Sequence, residues 1–307
     1  MRRKLGTGAL LALAFGSGAI PAVGCAKFAA EQTVNVAKQA APALELENDY
    51  DLAEAATPGN LKFLEGLYAV IPDNAELLEL LARGWSSYSF AFLEDRAQEA
   101  KALGDDKRQD YFTDRAINLY ERGARYGMRL LGQKRGFDDA WKAGGNALEQ
   151  KLLEFDRGEV GRLFWTGYSW VGAINLGQDR MENLTLLPKV IKLIERAAVL
   201  DGAYYFAGPH VILGGYNMAL PKMLGGKPDK AKEHFDKAVE LTQGKALLGK
   251  VLYAQLYAAR TNNRALFTSL LEEVQNAPDD ILPAAQLQTV IAKRKAKRLL
   301  KRIDEIF

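Results

Sequence analysis

Apolar residues recur at helical spacing from Leu61 almost to the C-terminus, and they nowhere alternate over a length that would suggest a strand. Leu61, Leu64, Leu67 and Tyr68 form one stripe, and Leu77, Leu78, Leu81, Trp85, Tyr88 and Phe92 form the next. Pro72-Asp73-Asn74 lies between them, where proline ends a helix and Asp or Asn caps its successor. Thr57-Pro58-Gly59-Asn60 reads as an earlier break, with Asn60 as the cap. Glu94 to Arg108 reads as a solvated helix end and loop. Helical patterns resume at Ala116, Tyr120, Gly123, Tyr126 and Leu130, at Phe137 to Phe155, and at Leu163 to Leu176. Further ones follow at Leu247 to Ala259, Arg264 to Val274 and about Leu282 to Ile306.

Two segments share a finer pattern. Val190, Ile194 and Ala197 are spaced by four and then three, and so are Ala231, Phe235 and Ala238. Small residues flanking a bulky one allow a neighbouring helix to approach while the bulky side chain fills the gap, as in the second helix of a tetratricopeptide repeat. One helical pair cannot bury its apolar face alone, so such pairs must stack. The expected fold class is all-α: tetratricopeptide-like helical hairpin repeats stacked into a superhelix over residues 59–307. The offset between Ala197 and Ala238 exceeds the usual repeat of about 34 residues. An insertion around Pro221 to Gly226 is expected to absorb the surplus.

Residues 1–24 read as a signal peptide, with Arg2-Arg3-Lys4 before the apolar run Ala9 to Phe15 and small residues Ala22-Val23-Gly24 at the end. The single cysteine, Cys25, follows at once, a placement that resembles the lipobox of bacterial lipoproteins. Residues 25–58 would then be a lipidated N-terminus and tether. The alternative is an ordinary secreted protein with a free thiol. A lone thiol is a liability in an oxidising compartment, which favours acylation and a membrane anchor. Ala26 stands where an aspartate commonly retains lipoproteins in the inner membrane, so the periplasmic side of the envelope is expected, leaning to the outer membrane.

The net charge of +3 comes from the signal segment. Without Arg2, Arg3 and Lys4, Lys plus Arg falls to 38, level with the 38 Asp plus Glu. A neutral chain lacks the basic footprint of a nucleic-acid binder. One cysteine excludes an internal disulfide, and two histidines without HExxH leave no zinc pattern, so no metal or cofactor is expected. His210 is read as structural and His234, beside the core-facing Phe235, as solvent-facing. No GxSxG motif or Cys/His set suggests a nucleophile. The carboxylate pairs Glu94-Asp95, Asp138-Asp139 and Asp279-Asp280 are read as helix-end groups rather than catalysts. The chain is therefore expected not to be an enzyme. The cations of Lys293 to Arg302 read as a solvated helix face, with lipid headgroups or an acidic partner as the alternative.

The stretch Phe164 to Trp170 carries large rings on more than one side of a helix. Such a helix is enclosed on both sides or lines a cavity, with Gly167 and Gly172 permitting close approach. Core packing competes with a ligand cleft for this segment.

Taken together, the lipobox cysteine, Asn60 to Leu67, Leu77 to Phe92 and Phe164 to Tyr168 form an ordered series with Gly225-Gly226-Lys227-Pro228, Ala231 to Phe235 and the closing Ile303 to Phe307. That series resembles the T-component (TatT) family of TRAP transporters. The resemblance implies a periplasm-facing lipoprotein of helical repeats that forms homo-oligomers, trimers by analogy. It also implies pairing with the transporter's extracytoplasmic solute-binding protein and an apolar channel in each protomer, with Trp165, Tyr168 and Trp170 at its wall. The expected function is a non-enzymatic accessory component of a TRAP-type uptake system that passes an apolar ligand. The alternative is an envelope scaffold without a small-molecule site.

Overall fold

The computed structural model describes residues 21–219 and 226–307. Among them there is no strand, and the fold is all-α. The first half of the chain forms α1 (Pro21–Ala40), α2 (Pro42–Glu45), α3 (Tyr50–Tyr68), α4 (Ala75–Tyr88), α5 (Glu94–Ala102), α6 (Asp106–Gly132), α7 (Phe137–Ala143), α8 (Gly145–Leu153) and α9 (Val160–Leu176). It continues with α10 (Met181–Leu184), α11 (Leu187–Leu200), α12 (Tyr204–Asn217), α13 (Pro228–Leu241), α14 (Leu247–Tyr253), α15 (Arg264–Asn276), α16 (Gln286–Lys301) and α17 (Ile303–Ile306).

The series α4, α6, α9, α11, α12, α13 packs each helix on the next, and α14, α15 and α16 complete the second half. The apolar stripes account for this order. Val190, Ile194 and Ala197 of α11 are fully buried, as are Ala231 and Phe235 of α13, with Ala238 nearly so. Phe235 fills the gap as its spacing predicted: a Cβ on Gly214 of α12 would lie 2.8 Å from its ring. α16 then returns against α2 and α3, so the last long helix closes on the first ones. That closure leaves a hollow between them.

The structure corrects several expectations. The helix does not break at Pro58; α3 runs through it, capped by Asp49, whose carboxylate accepts from the amides of Asp51 and Leu52. Tyr50, Ala53, Thr57 and Leu61 form a buried stripe across the proline, and this packing outweighs the one hydrogen bond that proline forfeits. Phe137 to Phe155 is two helices rather than one, because Gly144 and Gly145 both adopt positive φ between α7 and α8. Glu94 to Arg108 is solvated only in its second half: Lys101 to Arg108 are exposed around the turn between α5 and α6, whereas the start of the stretch is not. A π-helical turn, Ser89–Leu93, carries α4 directly into α5, and Asp95 is fully buried. The basic face of α16 is not wholly solvated either, since Lys295 is 1 % exposed. His234 faces His210 rather than solvent, with their Nδ1 atoms 3.0 Å apart. The signal segment and most of the expected insertion at Pro221 to Gly226 lie outside the described residues.

Candidate functional site: an internal apolar cavity

A cavity of about 1380 Å³ runs through the interior, bordered by α1 to α5, by α9, α11 and α12, and by α14 and α16. Its size exceeds the roughly 300–1,000 Å³ usual for small-molecule sites. Leu44, Leu61, Leu64, Ile212, Leu252 and Ile291 supply much of an apolar surface. The N-terminal helix contributes Thr33, Val36, Ala37 and Ala40 to one wall.

The aromatic helix α9 divides its rings between two tasks. Phe164 and Tyr168 border the cavity, in contact with each other at 5.7 Å between ring centres. Trp165 lies behind that wall, 1 % exposed, its Nε1 donating to the Tyr204 hydroxyl at 3.0 Å. Trp170 packs among the rings and aliphatic chains of the N-terminal core, and its buried Nε1 has no partner among the described residues. Of the three residues singled out in the sequence, Tyr168 borders the hollow directly. Cys25 is exposed on α1.

Opposite α9, Tyr205, Phe206 and Ala207 open α12 in the left-handed region, with φ of 44°, 60° and 59°. Non-glycine residues adopt this region at a cost of about 1–2 kcal/mol each. The turn sets the Tyr205 ring 4.5 Å from Trp165 and places Tyr205 and Phe206 on the cavity wall. Arg83 spans the same wall, 5.5 Å from the centres of both rings, and pairs with Glu45 at 2.7 Å. Burial pushes the Tyr205 phenol up, assisted by Glu45.

The polar end of the cavity is built by α5 and α16. Asp95 accepts from Arg298 at 2.6 Å, from the Tyr50 hydroxyl at 3.2 Å and from Arg294 at 3.4 Å. Burial alone would raise its carboxyl, but Lys295, Arg298 and Arg294 outweigh burial and hold it below the usual range. Glu94 borders the cavity and accepts from the Tyr120 hydroxyl at 2.5 Å. There burial wins, and the Glu94 carboxyl is raised against the pull of Lys295 and Tyr120. Lys295 itself is lowered by burial, although Asp95 and Glu94 act the other way.

Sequence reasoning passed over Arg83, Glu94 and Lys295 as cavity groups. The signal for Lys295 was available: Leu287, Ile291 and Lys295 share one face at intervals of four, so the cation continues an apolar stripe. A charge in that register must be paired or must meet a hollow.

Among the described residues, no group of three or more His, Cys, Asp or Glu could hold a metal, and no helix is long and apolar enough to cross a membrane. The arrangement offers volume, apolar surface and a few polar anchors. The chain is similar to an uncharacterized protein of Treponema pallidum (strain Nichols), 26 % identical over 265 residues, which are 85 % of this chain and 81 % of that protein. The sequence profile of the TRAP transporter T-component matches residues 46–307, and so the chain belongs to the TRAP transporter T-component family.

Proposed function

We propose that this accessory component of a TRAP transporter holds an apolar ligand in its internal cavity and hands it to, or receives it from, an extracytoplasmic solute-binding protein. Family membership supports the transporter role and envelope association. The observation that carries the finer reading is the largely apolar cavity of about 1380 Å³, bordered by Tyr168 and Phe164. A rigid protein gains nothing from such a void, because wall atoms facing empty space forfeit dispersion contacts. A void kept open at that cost fits a resident or passing molecule.

The remaining parts follow the same reading. Stacked helical hairpins curve around the hollow as a superhelix, with residues 59–307 as the repeat domain. Acylated Cys25, after removal of a signal peptide, anchors the chain on the periplasmic side of the envelope. Trp165 and Trp170 brace the wall that Tyr168 presents, and copies assemble as trimers.

The test is a pull-down of the anchored chain from envelope extract, with solute uptake measured in cells lacking it. Recovery of a TRAP solute-binding protein, with uptake restored by wild type but not by a Leu64→Trp variant that fills the cavity, is the expected result. Uptake restored equally by both would favour a scaffold without a small-molecule site.

A further inference from the structure

Most of the cavity wall is apolar, but at the α5–α16 end it carries an unbalanced set of charges. Lys295 Nζ lies 3.4 Å from Gln98 Oε1 and 3.7 Å from Asp95 Oδ1. Both separations exceed the roughly 2.7–2.9 Å of a charge-assisted hydrogen bond. Asp95 has closer partners, with Arg298 at 2.6 Å. Lys295, 1 % exposed and bordering the cavity, is thus an ammonium with three N–H groups whose acceptors, Gln98 and Asp95, both lie at long range.

Three cations gather here, Arg294, Lys295 and Arg298, against the two carboxyls Asp95 and Glu94. A positive charge is left over even when both carboxyls are ionised. Arg294 and Arg298 reach solvent, with side chains 35 % and 17 % exposed, whereas Lys295 does not, and a buried cation without close partners is costly. The hydrogen bonds point the same way. Gln98 Oε1 accepts from Lys295 and Arg298, so what this cavity-bordering amide has left to offer is its N–H donors. Glu94 borders the cavity next to this group, with one oxygen taken by the Tyr120 hydroxyl. The Lys295 ammonium with the Gln98 amide beside it offers a charged and a neutral donor to the two oxygens of a planar carboxylate.

We propose that this end of the cavity is a head-group site for a carboxylate carried on an extended apolar chain, with Lys295 as its ion-pair partner and the Gln98 amide as a flanking hydrogen-bond donor. The apolar tail lies along Ile291, Phe90 and Leu64, which border the same cavity. The proposal rests on the reading that the cavity holds an apolar ligand and adds the chemistry of its polar end.

The test uses three probes with one tail, palmitate, hexadecanol and hexadecylamine, titrated into the delipidated chain. Palmitate is expected to bind about ten-fold or more tighter than hexadecanol, the scale of a charge-assisted hydrogen bond. Lys295→Met is expected to remove that preference while leaving hexadecanol affinity unchanged. Gln98→Leu removes the flanking amide, so it should weaken the preference, and it serves if the lysine variant does not fold; an unchanged preference in a folded Gln98→Leu protein counts against the site. Equal binding of palmitate and hexadecanol overturns the head-group site but leaves the cavity reading intact. A preference for hexadecylamine that Glu94→Gln abolishes also overturns the proposal. Failure of all three probes to bind overturns the cavity reading and this proposal with it.

Discussion

The two sides of α9 obey opposite rules. Towards α6 and α11 the helix is sealed by small residues: a Cβ on Gly167 would lie 2.5 Å from Ile194, and one on Gly127 of α6 would lie 3.0 Å from the Thr166 backbone. Ser169 adds a hydrogen bond to Ser86 of α4 across the same seam. Towards the hollow, Tyr168 and Val171 border open space, while Phe164 borders it only in part, its ring packed against Tyr204, Tyr205 and Gly208 of α12. The seam thus supplies the rigidity that an open cavity cannot, and the cavity walls stay apart because their backs are locked. Substitutions should therefore be felt unequally on the two sides.

The charged end of the cavity is where this contrast should break most severely. Asp95→Ala leaves Arg294, Lys295 and Arg298 without their shared carboxylate, and loss of one member of a buried pair costs about 3–5 kcal/mol. Chemical denaturation at neutral pH measures it. Because the Asp95 carboxyl is held low in the folded state, its stabilisation is present above the ordinary carboxylate range and is lost as pH falls through the depressed value. The variant's acid limb should accordingly be flatter than that of wild type.

Next comes the seam itself. Gly127→Val forces α6 away from α9 and should cost about 3 kcal/mol, the upper part of the overpacking range. Val171→Phe, on the hollow side of α9, should change the unfolding free energy by about 0.5 kcal/mol or less, the effect of a surface substitution. Equal costs at the two positions would mean that the hollow is no more accommodating than the seam.

A smaller effect sharpens the cavity side. The Glu94 carboxyl is raised by burial, so its contribution is present below the ordinary carboxylate pKa and is lost as pH rises through the raised value. Glu94→Gln removes that slope and should be no less stable than wild type at pH 7. The His210–His234 pair gives a further slope of opposite sense. Burial lowers both imidazoles, so their stabilisation is in place above the ordinary histidine range and is lost as pH falls through the depressed values. His234→Gln should flatten the stability profile in the weakly acidic region.

The seam was far more legible in the sequence than the hollow. Ala116, Tyr120 and Gly123, like Ala231, Phe235 and Ala238, announced buried helix faces through spacing alone, and all six are buried. Helical periodicity records which side of a helix avoids water, but it does not say whether that side meets another helix or an internal space. That is why Trp165 and Tyr168, three apart on one face, were read together although only Tyr168 borders the cavity. The break read at Pro58 failed for a related reason: local propensity cannot register a stripe that buries residues on both sides of the proline. Lys295 and Asp95 were hidden by distance along the chain, since each looks like a surface charge until α16 is folded back onto α5.

The central claim is that the hollow is occupied in the working protein. Native mass spectrometry of the chain isolated from its own envelope, wild type beside a Leu252→Trp variant that fills the cavity, tests it most directly. Wild type should carry an additional non-covalently bound organic mass that the variant lacks while remaining folded. An identical spectrum for both proteins, with or without extra mass, would contradict the account.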